Sequence, residues 1–208
     1  MVNAIKWENS VLFLLDQRLL PERVEYVECN NYREIAKAIK DMIVRGAPAI
    51  GIAGGYGVAS AAASALKLVA EAARPNAGVK YCTKVRDAAR NVFDEAAGLL
   101  ISARPTAVNL KWAVDRVMNA ALRAFDGEDA YRGAPLNPGL QVLQRAGSAV
   151  AASEKEARAI ETEDIAMNQK MGDHGAALIK EGSRVLTHCN AGALATGGYG
   201  TALGVVRS

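Results

Sequence analysis

Cysteine is scarce in this chain and poorly placed for cross-linking. Three occur among 208 residues, Cys29, Cys82 and Cys189, and none are spaced as CxxC. An odd number without a pairing motif argues against a disulfide framework and for a reducing, cytoplasmic compartment. Metal-ligand spacing is missing as well. His174, His188 and Cys189 form no ligand set, so neither a metal nor another cofactor is expected. Aromatic residues make up only 5% of the chain, while alanine and glycine abound. Such a core brings backbones close together and depends on helix–helix contact. Charge of one sign is also lacking. The formal net charge is +3, and basic and acidic residues are interleaved, which argues against a nucleic acid or a membrane surface as partner. The N-terminal MVNAIKWENS has no apolar signal region. Residues 46–66 carry no charge and contain a GxxxG at Gly51 and Gly55, long enough for a membrane span. Alanine and glycine dominate there, Pro48 sits near its start and bulky apolar residues are few, so a core helix is expected instead.

Half of the chain is hydrophobic, enough for a sizeable core. Trp7, Val11, Phe13 and Leu15 around Glu8-Asn9-Ser10 predict a hairpin, and Val24 and Tyr26 a further strand. Asn31 followed by Glu34 resembles a capping box. Ile35, Ile39, Met42 and Ile43 mark a helix ending near Arg45-Gly46. The glycines from Gly51 to Gly57 predict an interruption, after which helix runs to about Ala73. Arg74–Gly78 reads as a turn. Val85 to Leu100 and Leu110 to Leu122 carry helical periodicity, separated at Pro105. Residues 126–139 read as a loop, 140–171 as a long helix broken once, and 175–181 as a short one. At Gly182 the texture changes. Arg184–His188 predicts a buried parallel strand that opens into a small-residue loop and a helix, the first unit of a parallel α/β sheet. A single such unit completes no sheet, so the chain reads as the front part of a longer protein. The expected class is mixed α/β, with domain 1–126, linker and connecting helices 127–181, and an incomplete domain 182–208.

Three segments could carry chemistry. Arg45-Gly46-Ala47-Pro48 joins a guanidinium fork, which matches phosphate oxygens, to backbone that a ligand can approach. The same residues read equally as a helix C-cap and turn. Arg104-Pro105-Thr106 places a second arginine at a helix end, and taken singly it reads as a surface arginine. Thr187-His188-Cys189-Asn190 would put a cysteine at a strand end, where a following helix N-terminus favours thiolate; a buried, inert cysteine is the alternative. On a strand, His188 would face away from Cys189 and form no dyad. Gly197-Gly198-Tyr199-Gly200 matches neither GxGxxG nor a Walker loop.

Four stretches, three of which contain these segments, occur in order in one known family. Leu14–Arg18, Arg45–Gly51, Ser102–Leu110 and Leu186–Thr196 resemble the methylthioribose-1-phosphate isomerases, which share a superfamily with ribose-1,5-bisphosphate isomerase and initiation-factor-2B regulatory subunits. The resemblance implies a small β-sheet with a helical bundle, followed by a Rossmann-like domain, with substrate between them in a homodimer. It implies Cys189 as the catalytic residue, Arg45, Gly46 and Ala47 as substrate-binding residues, and Arg104 as the phosphate grip in a pocket shared with Arg45. The family's aspartate donor, glutamine and Asn-Lys pair have no counterpart up to Ser208, so the 208-residue chain is expected to be inactive alone. A bisphosphate isomerase and a non-catalytic sugar-phosphate- or nucleotide-binding subunit are the alternatives.

Overall fold

Asn9 and Ser10 both adopt positive φ, 51° and 64°, and this two-residue turn joins β1 (Ile5–Glu8) to β2 (Val11–Leu15). Mirror-image turns of this kind match the natural twist of paired strands. β2 is the centre of an antiparallel β1-β2-β3 sheet, with β3 at Tyr26–Cys29. The register pairs Leu14 with Ile5 on one side and Val27 on the other, and alternate residues Leu12 and Leu14 are fully buried. The structure, a computed structural model, describes residues 2–72, 78–127 and 137–208.

Asn31 caps α1 (Tyr32–Lys40) by accepting from Arg33 N and Glu34 N, while Glu34 reaches back to Asn30 N at 2.7 Å. The helix ends at Lys40 rather than near Arg45. Met42 turns left-handed at φ 60°, Met42 N bonds Ile39 O and Ile43 N bonds Ala38 O. These two bonds form a Schellman stop, which tucks Ile43 and Val44 into the core and leaves Met42 exposed.

The uncharged run becomes α2 (Ala47–Ala72), one continuous helix on which the bundle is assembled. Its glycines do not interrupt it. They remove bulk where neighbours press closest. A Cβ on Gly54 would lie 2.4 Å from Leu110 Cδ1, and one on Gly57 would lie 2.7 Å from Leu100 Cδ2. Tertiary packing here outweighs the weak helix propensity of glycine. By length and composition α2 could cross a membrane, yet 83% of its most apolar window is buried inside the protein. Against α2 pack α3 (Val79–Ala103), α4 (Val108–Asp126) and α5 (Pro138–Ala176). The expected turn at 74–78 lies outside the described residues except for Gly78, which caps α3. The loop expected over 126–139 likewise falls mostly outside them.

The expected break in the long helix does not occur. α5 is a single helix with a stripe at Ala149, Ser153, Ala157, Ile160, Asp164, Asn168 and Gly172 turned inward, so packing holds it straight through. It ends at Ala176, and no helix covers 177–181. Nor is Arg184–His188 a strand. The segment is exposed throughout, and the one sheet among the described residues contains only β1, β2 and β3. Without a neighbour to accept its backbone hydrogen bonds, an apolar run has no reason to count as strand. The last helix, α6 (Ala202–Arg207), lies on α5, where a Cβ on Gly175 would meet Val205 Cγ1 at 2.5 Å. The class is therefore mixed α/β and mostly helical.

Two helical glycines in opposite surroundings should respond with opposite signs to substitution. Gly54→Val should lower unfolding stability by about 1–3 kcal/mol through overpacking. Gly98→Ala, on the exposed side of α3 with nothing within 4 Å, should raise it by about 0.5–1 kcal/mol. Urea midpoints measure both, and equal stability of Gly54→Val and parent would refute the contact.

Candidate functional site

The exit from β2, the loop before α2 and the segment around Cys189 meet in one cleft of about 630 Å³. Its walls include Gln17, Arg45, Cys189, Asn190 and the run from Ala191 to Ala195. Gln17 joins the three parts. Its N–H donates to Ile43 O at 3.0 Å, its carbonyl accepts from Arg45 Nη2 at 3.2 Å, and its side-chain amide donates to Leu194 O at 2.8 Å. Its neighbour Asp16 is buried and paired with Arg18 at 2.6 Å, and that bond holds its carboxyl below the usual aspartate range.

Arg45 Nε is buried and has no hydrogen-bond partner. A buried donor left unsatisfied is costly, and an anionic oxygen would restore the bond with charge assistance. Gly46 has φ +101°, and a Cβ there would lie 2.4 Å from both Ala195 Cβ and Ala195 O. Only glycine lets the Arg45 loop sit directly on the 3-10 turn Ala193–Ala195. Ala47 opens α2 and is exposed.

Cys189 is exposed, whereas Cys29 and Cys82 are buried. The seat differs from the one expected. No strand precedes Cys189, and a three-residue 3-10 turn stands where a helix start was expected. Cys189 instead has φ 70°, a left-handed conformation that costs a non-glycine residue about 1–3 kcal/mol and tends to cluster at functional sites. His188 is exposed beside it, so the alternation argued from a strand does not apply. Burial first, then nearby glutamates, push the Cys29 thiol up to about 11.

Arg104 lines neither this cleft nor the next one described. It caps the C-terminal end of α3, and its carbonyl accepts from Ala107 N at 2.9 Å. The segment it begins does reach α2, since a Cβ on Gly51 would lie 3.0 Å from Asn109 O.

A second cleft of about 360 Å³ lies between α2, α4 and α5. Pro48, Gly51, Ile52, Asn109, Trp112, Ile160, Glu163, Asp164 and Met167 line it, with no lysine or arginine among them. Glu163 is held by Arg116 at 2.6 and 2.8 Å. Asp164 accepts from Gly197 N at 2.7 Å, and burial raises its carboxyl above the usual range. One turn further along α5, Asn168 is fully buried, and its side-chain amide acts on the Asp164 carboxyl in the sense opposite to burial. The Gly-rich run beside these residues is no phosphate cradle. Gly197 N is taken by Asp164, and Gly198 N and Gly200 N by Thr196 Oγ1 at 3.2 and 3.0 Å.

Sequence reasoning placed Gln17 only within the family-like Leu14–Arg18 stretch, without a role, and assigned none to Asp164 or Asn168. A signal existed for the last two: they interrupt an otherwise small or apolar stripe at helical spacing on α5. Gln17 gave no such signal, because its role depends on three segments meeting.

A family model described as the Initiation factor 2 subunit family matches residues 43–208. The chain belongs to that family. Similar curated proteins include a methylthioribose-1-phosphate isomerase of Desulforamulus reducens, 44% identical over 207 residues, which cover 100% of this chain and 50% of the relative. Another, of Syntrophus aciditrophicus, is 40% identical over 205 residues, 99% of this chain and 52% of its own. Among solved structures, 5-methylthioribose 1-phosphate isomerase from Pyrococcus horikoshii OT3 is similar with a TM-score of 0.74 and 33% identity, over 100% of this chain and 49% of that one. The translation initiation factor eIF-2B, subunit delta, from A. fulgidus has a TM-score of 0.72 and 40% identity, over 100% and 51%. The chain spans about half the length of the curated relatives it matches. The family match begins after α1, whereas the isomerase relatives align over essentially the whole chain, β-sheet included.

Two predictions follow from the cleft and its neighbour. Limited iodoacetamide treatment and peptide mapping should label Cys189 first, since the other thiols are buried; preferential labelling of Cys29 or Cys82 would contradict the arrangement. Asp164→Asn removes a buried charge but keeps an acceptor for Gly197. Because burial raises the folded-state pKa above the ordinary 3.8, protonated Asp164 favours the fold below that pH, and this contribution is lost as pH rises through the folded value. The variant should therefore be at least as stable as the parent at pH 7, with the difference shrinking toward about pH 4. Urea titrations at the two pH values test this, and a difference that grows on acidification reverses the assigned sign.

Proposed function

We propose that this chain supplies the phosphate-gripping and cysteine-bearing half of a methylthioribose-1-phosphate isomerase, an aldose–ketose isomerase of methionine salvage. The observation that carries the reading is the shared cleft, lined both by Arg45, whose Nε is buried and unpartnered, and by exposed Cys189. An anionic sugar answers the first group, and the second is an accessible nucleophile or base. The relatives named as methylthioribose-1-phosphate isomerases agree with this chemistry.

In this reading Arg45, Gly46 and Ala47 bind substrate, and Arg104, which lies off the lining of both clefts, is assigned its phosphate by the family resemblance alone. The substrate carries phosphate on its anomeric oxygen and has no free aldehyde, so an acid must first protonate the ring oxygen. The aspartate that does so in this family has no counterpart up to Ser208. Net transfer of hydrogen from C2 to C1 then converts aldose to ketose, with Cys189 acting as base or as stabiliser of the transition state. The reading extends to a Rossmann-like continuation, a homodimer and a cytoplasmic location, on the strength of the family resemblance.

The second cleft favours a methylthio sugar over a bisphosphate. Ile52, Trp112, Ile160 and Met167 suit a thioether, and sulfur makes favourable contacts with aromatic rings. A second phosphate would instead meet Glu163 and Asp164 without a lining cation. The alternative of a non-catalytic subunit draws on the similarity to the A. fulgidus eIF-2B delta structure.

The deciding assay supplies full-length protein with methylthioribose 1-phosphate and measures the ketose. Turnover is expected, with Arg45→Ala and Arg104→Ala each raising KM about tenfold or more through loss of a charged hydrogen bond. The 208-residue chain alone should fall below the full-length rate by about 10²–10⁴-fold or more, the typical worth of one general acid. Absence of ketose from the full-length protein would sink the reading in favour of a binding subunit.

A further inference from the structure

We infer that Gln17 is a positioning residue, setting the Cys189 loop against Arg45 from a segment outside the matched family region. The role rests on the isomerase reading above, but the contacts that define it do not. Gln17 is only 6% exposed and lines the cleft without being one of its charged or nucleophilic groups. Its main chain serves the arginine side. Gln17 N holds Ile43 O, and Gln17 O receives Arg45 Nη2, which fixes the guanidinium by one corner while Nε stays unpartnered. Its side chain serves the cysteine side through the 2.8 Å bond to Leu194 O. Leu194 belongs to the turn that seats on Gly46 through Ala195 and follows Cys189 within the same cleft wall.

The division between main chain and side chain makes the role specific. Leu194 offers a carbonyl, so the partner must be a donor. A glutamate would bring an acceptor against an acceptor. An asparagine is one methylene shorter and could not span the same distance from the same backbone. The backbone itself is pinned on both sides, because Asp16 N bonds Glu25 O at 2.9 Å and Gln17 N bonds Ile43 O at 3.0 Å. The side-chain amide is therefore presented from a fixed base. Gln17 precedes residue 43, where the family match begins, yet lies within the alignment to the isomerase relatives. A segment outside the family region thus supplies a strut to the site that the family region builds.

The test compares full-length parent protein with Gln17→Met, which keeps length and apolar bulk but donates nothing, and Gln17→Ala. Both leave the main-chain bonds to Ile43 and Arg45 available. Amide hydrogen exchange over residues 192–196 should accelerate about tenfold in Gln17→Met, the scale of one lost hydrogen bond. With methylthioribose 1-phosphate, kcat should fall about tenfold or more while KM changes less than twofold, because the arginine side is intact. Unchanged exchange in Gln17→Met overturns the contact. Faster exchange with unchanged kcat, or kcat and KM both altered in proportion to a lowered melting temperature, assigns Gln17 to stability alone and overturns the positioning role. If the parent itself makes no ketose, the isomerase reading fails, and the exchange result alone decides whether Gln17 fixes the Cys189 loop.

Discussion

From Ala47 to Leu66 the chain offers no charged side chain, and that stretch must be enclosed on every side. The rest of the protein is arranged around this demand. A helix with one apolar stripe can lie on a surface, but one that is apolar all round has to be the axis of a bundle. α3, α4, α5 and the N-terminal elements supply the enclosure. The glycines on α2 let those partners approach to backbone distance, which compensates for the shortage of large aromatic side chains. The aromatic contacts that exist are placed economically. Trp7 of the sheet stacks on Tyr56 of α2 at 5.0 Å, and the Tyr56 hydroxyl donates to Glu161 of α5. One column of contacts thereby ties sheet, central helix and long helix together. Burial raises the Glu161 carboxyl and the Tyr56 hydroxyl, so both ends of that bond resist ionisation.

The cleft inherits its rigidity from this core. Arg45 lies two residues before α2, so its backbone leads directly into the buried central helix. The opposite wall is held by close contacts between small residues: Gly46 on Ala195 and Gly200 on Gly192. Loops that carry function are commonly exposed and mobile, whereas these are clasped at several points, with Cys189 left at the outer edge.

Much of the helical frame was legible because period and punctuation agree there. Pro105 separates α3 from α4, and Asn31 announces α1. Misreadings arose where local signals met tertiary constraint. The glycines of α2 look like breakers until the leucines that press on them are known. Met42 gave no sign of a left-handed stop, since glycine usually occupies such positions. Arg184–His188 has the composition of a strand but no ladder. The motifs marked Arg45 and Cys189 as chemically interesting, and the structure brings these two to one cleft while leaving Arg104 off its lining. The role of Gln17 within the Leu14–Arg18 stretch was illegible for a plain reason: hydrogen bonds across 28 and 177 residues leave no local pattern.

α5 has a mechanical consequence. As a single 39-residue helix it is about 58 Å long, close to a rigid ruler on the scale of this protein. Glu154 near its middle accepts from Trp7 and Ser10 of the hairpin, while Gly172 and Gly175 near its end carry α6. The span between those stations cannot stretch or fold without breaking the helix. Relative displacement between the hairpin and the Cys189 segment is therefore confined to what leaves the ruler at Ala176. That stretch includes residues 181–190, exposed without exception, so the tether that delivers the cysteine is the compliant element of an otherwise stiff linkage.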